Sequence, residues 1–291
     1  MTKLNTPIRL SARLQALADL VTQGMAVADV GCDHGFLDIY LVQSGKSPSA
    51  VAMDVRTGPL AAAAEHIREY GLEDRIATRL SDGLEKYLVG EAGTLVCAGM
   101  GGPLMQRILT AYPEKTDSFE EMILQPQSEI REFRVFLREN GYRIIAEKIL
   151  IEDGKYYFPM KVVRGLSRLE ADGCAGKAIA DGEAAVDTRK AAADSEVAVD
   201  TRKAIADTKA ADARWQEVTD RYGAGLIEQK DPLLKEYLLV QKRTYTSIRD
   251  GLTRQGCEEE QVPAVGDRRS QRLREVEMEL EYLQMALERI G

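Results

Sequence analysis

Apolar and polar stretches alternate along the first half of the chain in the manner of a layered α/β protein. Short apolar runs start near Met25, Ala50, Ile76, Thr94 and Met122. Such runs predict buried parallel strands, which are apolar on both faces. Amphipathic stretches separate them, and another covers residues 8–23. The pattern therefore predicts an α/β fold with a doubly wound, Rossmann-like sheet.

Two longer apolar stretches follow the fifth run. Residues 142–151 and 156–163 flank Glu152-Asp-Gly-Lys155, a turn sequence typical of a hairpin. We expect them to form one antiparallel hairpin at the edge of the sheet. A terminal hairpin of this kind distinguishes methyltransferase sheets from nicotinamide-binding ones.

The composition changes after Gly165. Residues 177–189, 190–202 and 203–215 are three near-copies, rich in Ala, Asp and Lys and almost without bulky apolar side chains. A helix of this composition would have little apolar surface to bury. The pattern predicts a first domain over residues 1–165 and a repeat linker over 166–212, helical in part or disordered.

The last part of the chain, residues 213–291, is helical in pattern and carries two heptad seams. The seams are Leu234, Leu238, Gln241, Tyr245, Ile248 and Leu252, then Leu273, Val276, Leu280, Leu283, Leu287 and Ile290. Residues with turn-forming character lie between them. We expect an antiparallel coiled-coil hairpin within a monomer, and a parallel coiled-coil dimer is the alternative.

Charge and cysteine content narrow the class of protein. The chain has 291 residues and a net charge of −8, which argues against coating nucleic acid by charge alone. Its four cysteines are widely spaced, which favours reduced thiols over disulfides or a zinc site. Without a long apolar run or an apolar leader, the sequence predicts a cytoplasmic protein with no membrane contact and no metal.

Candidate chemistry begins at Asp29-Val-Gly31-Cys-Asp33-His-Gly35, at a predicted strand-to-helix junction. Backbone N–H groups and a helix N-terminus at such a junction favour anionic ligand groups. The spacing resembles the acidic-x-Gly-x-Gly-x-Gly loop of S-adenosylmethionine (SAM) methyltransferases, with Asp33 in place of the middle glycine. We expect its carboxylate to face the ligand, and a helix cap is the alternative.

Three later positions extend this site along the strand ends. Asp54 ends the second strand, 23 residues after Gly31, where an acid binds ribose hydroxyls in nucleotide-binding sheets. Asp82 and Gly83 follow the third strand; the acid could accept from the adenine amino group, or the pair could be only a turn. Gly99-Met-Gly-Gly102 follows the fourth strand and lets backbone approach a ligand.

Taken in order, these residues resemble one family, the TrmK-type bacterial tRNA (adenine-22-N1)-methyltransferases. The resemblance covers residues 8–164 and 213–291. The matching stretches are Leu10-Ser-Ala-Arg-Leu14, Ala28-Asp-Val-Gly-Cys-Asp-His34, Ser81-Asp-Gly83, Ala98-Gly-Met-Gly-Gly102, Leu124-Gln-Pro126, Glu152-Asp-Gly-Lys155 and Gly223-Ala-Gly-Leu-Ile227. The resemblance implies methyl transfer from SAM to N1 of an adenosine in the D-arm of tRNA.

The resemblance also implies a role for each site residue. Asp33 would be the catalytic acid, stabilising positive charge on the adenine or accepting a proton. The expected cofactor-binding residues are Asp29, Gly31, Cys32, Asp54, Asp82, Gly83, Gly99, Met100 and Gly101. The expected substrate-binding residues are Arg13, His34, Gln125 and Pro126, with packing or capping as the alternative for His34.

Two other functions stay open on the sequence alone. One is a SAM-dependent methyltransferase of a small molecule, which the helical C-terminal region disfavours. The other is a non-catalytic scaffold that binds RNA or protein. The Asp/Asn-Pro-Pro-aromatic motif of amino-group methyltransferases is missing at Gly99–Gly102, which counts against methylation of an exocyclic amine.

Overall fold

The computed structural model describes residues 7–165, 195–258 and 268–291. The strands are β1 (Val27–Val30), β2 (Ala50–Asp54), β3 (Ile76–Leu80), β4 (Thr94–Gly101), β5 (Glu121–Ser128), β6 (Tyr142–Glu147), β7 (Leu150–Glu152), β8 (Lys155–Tyr157) and β9 (Met160–Arg164). The helices are α1 (Ala12–Leu20), α2 (Phe36–Gln43), α3 (Thr57–Tyr70), α4 (Gly102–Ala111), α5 (Pro113–Thr116), α6 (Ile130–Glu139), α7 (Ser195–Tyr222), α8 (Ala224–Glu228), α9 (Pro232–Glu258) and α10 (Arg268–Ile290).

Seven strands form one sheet in the order β3-β2-β1-β4-β5-β9-β6. The first five are parallel, and β9 lies antiparallel between β5 and β6. The strand order reverses between β1 and β4, and open α/β sheets bind ligands at the carboxyl ends of the strands at such a point. The predicted Rossmann-like fold with an antiparallel edge is confirmed.

The expected hairpin differs in detail from the observed one. It is divided into β6 and β9, which belong to the main sheet, and β7 and β8, which form a separate two-stranded ribbon. Lys148 and Pro159 join across the gap by a backbone hydrogen bond of 2.9 Å. Pro159 cannot donate to a ladder, so an unbroken pair of long strands is excluded at this point.

The core of this sheet lies where the central strands meet α1, α2 and α3. Every residue of β1 and β2 is buried, as their apolar sequences predict. Leu17 of α1, Ile39 of α2 and Ile67 of α3 all pack into the same apolar cluster. This packing fixes the strand ends and helix starts that carry the candidate chemistry.

The chain divides into two units, residues 1–165 with 223–237 and residues 166–222 with 238–291. In the second unit, α9 and α10 run antiparallel: Arg269 donates to the Leu252 carbonyl, and Lys242 Nζ donates to Gln284 Oε1 over 2.7 Å. The buried residues of α10 are Val276, Leu283, Ala286 and Ile290. Coiled-coil packing of the two seams stays a prediction.

A third long helix accompanies this pair. Helix α7 runs without a break from Ser195 to Tyr222, across the expected boundary at 212/213. It packs on α10, where Arg221 forms an ion pair with Glu279 over 2.5 Å and lies over the Tyr282 ring. The sequence analysis expected helix in part of the repeat segment and again after residue 213, and the observed helix joins the two without a break.

Several sequence predictions fall outside the described residues. The repeat over 177–189 and Cys174 are among them. Within the described part of the chain, no helix is both long and apolar enough to cross a bilayer.

Candidate active site

A cleft of about 550 Å³ opens at the carboxyl ends of the central strands. This volume is in the range of sites for small molecules and cofactors. Most of the predicted site residues line it: Arg13, Asp29, Gly31, Cys32, Asp33, His34, Asp54, Asp82, Gly83, Gly99 and Met100. The fold thus brings together residues that are up to 87 positions apart in the sequence.

Gly31 allows the first loop to turn tightly beneath this cleft. Its φ is +82°, and a Cβ added there would overlap the end of the Met100 side chain. The N–H groups of Gly31 and Cys32 donate to the Met53 carbonyl at 2.8 and 3.0 Å, and that of Gly35 donates to Cys32. The amides of Gly31, Cys32 and Gly35 therefore hold the loop together and are not free for a ligand.

Asp33 occupies the middle-glycine position in a left-handed conformation, with φ of +51°. This backbone geometry explains why glycine is typical here, and Asp is one of the few other residues that tolerate it. The predicted alternative of a helix cap is wrong, since Gly35 is the N-cap of α2 and no side chain caps that end. The Asp33 side chain is instead 65% exposed, with Oδ1 3.9 Å from His34 Nε2.

Two further carboxylates lie deeper in the cleft. Asp29 and Asp54 are only 5% and 4% exposed. Burial raises the pKa of Asp29 to about 7. Asp54 Oδ1 accepts from the Arg56 N–H over 2.8 Å, which orients its carboxylate at the end of β2.

Asp82 lies on the far side of the cleft, after β3. Its Oδ1 accepts from Arg107 Nη2 over 3.1 Å, and both side chains are more than half exposed. Gly83 follows with φ of +57°, and its carbonyl accepts from the Ser81 hydroxyl. Both predictions for this segment, a ligand-facing acid and a turn, are compatible with this arrangement.

The second glycine segment is an irregular strand end and not an open loop. Strand β4 continues to Gly101 with register shifts around Met100, and α4 begins at Gly102. Gly99 and Met100 line the cleft, but Gly101 does not. A Cβ on Gly101 would lie 3.0 Å from Ser128 Oγ, so this glycine serves close packing against β5.

Arg13 reaches the cleft from α1. Its backbone N–H donates to Glu152 Oε2 over 2.9 Å, and its guanidinium donates to Gln125 Oε1 over 3.3 Å. The guanidinium also lies 5.8 Å from the centre of the Tyr157 ring. Gln125 is fully buried, and neither it nor Pro126 is among the cleft-lining residues. The structure thus places Gln125 behind Arg13, where it holds the guanidinium.

Other residues of the cleft escaped the sequence analysis. They include Phe36, Arg56, Leu104, Arg107 and Gln127. No motif identified them, although Gln127 could have been found from its alternation with Gln125 on β5, which places both on the same face. Arg56 and Arg107 are single charges on exposed segments, and only their contacts with Asp54 and Asp82 connect them with the site.

Two cysteines of the described residues lie in or near the cleft, and their thiols are unreactive. Cys32 and Cys97 are buried and free of disulfides, and burial raises the pKa of both thiols. No group of three or more potential metal ligands lies together among the residues that the structure describes.

The residue set fits a cationic nucleoside cofactor such as SAM. Four carboxylates line the cleft, from Asp29, Asp33, Asp54 and Asp82. SAM carries a sulfonium and an ammonium group, whose charges such carboxylates stabilise. The glycine at position 31 leaves room for the Met100 side chain at the cleft floor.

A comparison with protein families supports the same conclusion. A family model described as a methyltransferase domain matches residues 10–160. This chain belongs to the methyltransferase-domain family. Among curated members, tRNA (adenine(22)-N(1))-methyltransferase of Bacillus subtilis is 39% identical over 150 residues, which cover 52% of this chain and 63% of that protein.

Solved structures with a similar fold cover nearly all of this chain. The B. subtilis m1A22 tRNA methyltransferase TrmK is 26% identical, with a TM-score of 0.69 and coverage of 96% of this chain and 99% of that one. M. capricolum TrmK in complex with S-adenosyl-homocysteine has the same fold, with a TM-score of 0.66 at 21% identity over 97% of this chain. The resemblance to TrmK-type enzymes is therefore confirmed.

Proposed function

We propose that this protein transfers a methyl group from SAM to N1 of adenosine 22 in tRNA. The observation that carries the proposal is Asp33, an exposed carboxylate at the mouth of a cleft whose deeper acids suit a cationic cofactor. The B. subtilis relative with that activity supports the choice of substrate. Family membership alone would support only methyl transfer.

The reaction needs little general-base catalysis from the protein. N1 of adenine has its lone pair in the ring plane and can attack a methyl group without prior deprotonation. When bound, SAM supplies a methyl group on a sulfonium centre, and the electrons of the broken S–C bond remain on sulfur. The new N1–C bond leaves a positive charge on the adenine ring.

In the proposed reaction, Asp33 stabilises that positive charge. A carboxylate near the ring lowers the energy of the cationic product and of the transition state that leads to it. It could also accept a proton from N6 as the charge develops. Asp33 has a left-handed backbone conformation, with φ of +51°. This supports a functional role, because strained conformations concentrate at active sites.

The rim of the cleft would position the RNA. N1 lies on the Watson–Crick edge, so adenosine 22 must leave its stack to enter the cleft. Arg13 lies at the rim with its guanidinium held by Gln125. We expect it to bind a phosphate of the tRNA and so to set the register of the base.

The proposal is tested by methyl transfer to an unmodified tRNA transcript that carries A22. Nuclease fragments analysed by mass spectrometry locate any m1A. An A22→G transcript controls for the site. Asp33→Asn and Asp33→Gly both remove the carboxylate but tolerate a positive φ, so they avoid the backbone strain that Asp33→Ala would add.

We expect methylation at A22 only. In both Asp33 variants kcat should fall by about 100-fold or more, and SAM affinity should be retained. Methylation at another position would retain the enzyme class and overturn the assigned site. SAM binding without any tRNA methylation would favour a small-molecule substrate. Failure to bind SAM would favour the scaffold function.

A further inference from the structure

Gln127 lies at the end of β5, where its side chain lines the cleft and is exposed. Within the part of the chain that the structure describes, its amide forms no hydrogen bond. The nearby Gln125, by contrast, is fully buried and holds Arg13. An amide carries both a donor and an acceptor, and those of Gln127 are available to a ligand in the cleft.

The strand ends around Gln127 are irregular. The register between β4 and β5 shifts twice at this point, so that the pairing passes over Gly99 on β4 and Gln127 on β5. Pro126, the residue before Gln127, cannot donate to a ladder, which accounts for the irregularity. Bulges of this kind concentrate next to active sites, where they redirect a side chain. The irregular backbone thus supports a functional reason for the direction of Gln127.

The side chains of Arg13 and Gln127 approach the same point of the cleft wall. A Cβ added to Gly99 would lie 3.4 Å from Arg13 Nη1 and 3.7 Å from Gln127 Nε2. Gly99 also has φ of +78°, a conformation that favours glycine. Glycine at this position therefore leaves a space that is bordered by a guanidinium and an amide.

The strand order separates this space from the deeper carboxylates. Asp54 and Asp82 follow β2 and β3 on one side of β1, whereas Gly99 and Gln127 lie near the ends of β4 and β5 on the other side. Asp33 follows β1, between the two groups. The carboxylate side suits the cationic cofactor. The β4–β5 side is therefore the side for the base that accepts the methyl group.

We propose that Gln127 recognises the target adenine by its Hoogsteen edge. The inference rests on the proposed function, since it names the residue that selects the base for that reaction. N1 must face the methyl group, so N6 and N7 are the ring-edge atoms that remain for the protein. Gln127 Oε1 would accept from N6 and its Nε2 would donate to N7, as glutamine does with adenine in DNA. Guanine presents two acceptors on this edge, so the amide would favour adenine.

This contact is compatible with the role of Asp33. The N6 amino group has two hydrogens, one on the N1 side and one on the N7 side. Asp33 would accept the first and Gln127 the second. The two side chains would together fix the rotation of the base in its plane, which aligns N1 with the methyl group.

The test combines variants of Gln127 with a tRNA that lacks N7 at position 22. Gln127→Glu keeps the acceptor for N6 and replaces the donor to N7 by a carboxylate oxygen, whereas Gln127→Met removes both polar groups. Gln23→Glu, on an exposed glutamine that does not line the cleft, is the matched control for the added charge. The kcat/KM of each protein is measured with A22 tRNA and with the same transcript carrying 7-deazaadenosine at position 22. Calorimetry measures SAM affinity.

With A22 tRNA, we expect both Gln127 variants to lower kcat/KM about 5- to 150-fold, the range for one such glutamine–adenine pair. The wild-type protein and Gln23→Glu should lose roughly 3- to 10-fold on the 7-deaza transcript, because one hydrogen bond is removed. Gln127→Glu should lose nothing further on that transcript, because its carboxylate has no donor for N7. SAM affinity should be the same in all four proteins.

Two results with an active wild-type enzyme would overturn this inference alone. Equal relative losses on the 7-deaza transcript for the wild-type protein and for Gln127→Glu would show that the amide and N7 do not meet. A loss of SAM affinity in the Gln127 variants would assign the side chain to the cofactor. If the wild-type protein methylates no A22 transcript, the proposed function fails and this inference fails with it, before any variant is compared.

Discussion

The Asp38 carboxyl lies close to that of Asp29, with Asp38 fully buried and Asp29 only 5% exposed. Two ionised carboxylates would repel each other in such a site. Burial and the charge of Asp29 raise the pKa of Asp38 well above its ordinary value. The pair therefore holds a proton near neutral pH, and Asp38 carries it, since neither of its buried carboxyl oxygens has a hydrogen-bond partner among the described residues.

This pair predicts a stability that falls as pH rises. The native state binds more protons than the unfolded state from about the ordinary pKa of 3.8 up to the raised values, which for Asp29 is about 7. In that window the slope of stability against pH is negative. Asp38→Asn removes the titrating group and keeps a side chain of the same shape. We expect it to stabilise the protein at pH 8 and to do so less at pH 5.

Urea unfolding of both proteins across this pH range measures the effect. Asp74→Asn, on an exposed turn, controls for the loss of one negative charge. Asp54 and Asp33 raise the pKa of Asp29 and Arg13 lowers it, so these charges must stay unchanged. A stability difference that does not vary with pH would show that Asp38 is not the titrating partner.

Gly31→Ala should weaken both the fold and cofactor binding. The positive φ alone costs about 1 to 2 kcal/mol with a side chain present, and contact with Met100 adds to this. Gly24→Ala measures the backbone cost by itself, because Gly24 has φ of +91° and open space around it. In urea unfolding, Gly31→Ala should lose more free energy of unfolding than Gly24→Ala. Adding Met100→Ala to Gly31→Ala should remove that difference. No recovery would mean that the Met100 contact is unimportant.

Asp82→Asn separates the two predictions for that position. If Asp82 binds the adenine amino group, SAM affinity measured by calorimetry falls about 10-fold, since a hydrogen bond to a charged group is worth about 1.5 to 3 kcal/mol. Stability changes little, because the ion pair with Arg107 is exposed. Arg107→Gln is the control, as it breaks the same ion pair and leaves the carboxylate. Unchanged affinity with lower stability would favour the turn alone.

The buried ion pair between Arg134 and Glu147 should matter far more for stability than an exposed one. Arg134 Nε donates to Glu147 Oε1 over 2.9 Å, and the side chains are 3% and 2% exposed. Glu147→Gln removes a buried counter-charge that is hydrogen-bonded to the guanidinium and should cost about 3 to 5 kcal/mol in urea unfolding. Asp19→Asn, which breaks the exposed pair with Lys148, should cost less than about 1 kcal/mol. Equal losses would contradict the argument from burial.

Some features of the site could be predicted because they depend on neighbours in sequence. A buried strand, a tight turn and a helix start follow one another between Met25 and Gln43, so the position of the first loop was evident. Asp54 and Asp82 were found because they end strands in a sheet whose order is known for this class. The same local logic failed at Gly101, whose role depends on how closely β4 packs against β5.

The sequence by itself determined the class of sheet, its antiparallel edge and the main carboxylates of the cleft. Apolar periodicity reports which positions are buried, and that is a property of each segment alone. Only the tertiary structure decided that Asp38 meets Asp29, that Gln125 holds Arg13, and that His66 packs against both His34 and Phe36. Each of these pairs joins separate elements, and its geometry depends on how the chain folds back between them.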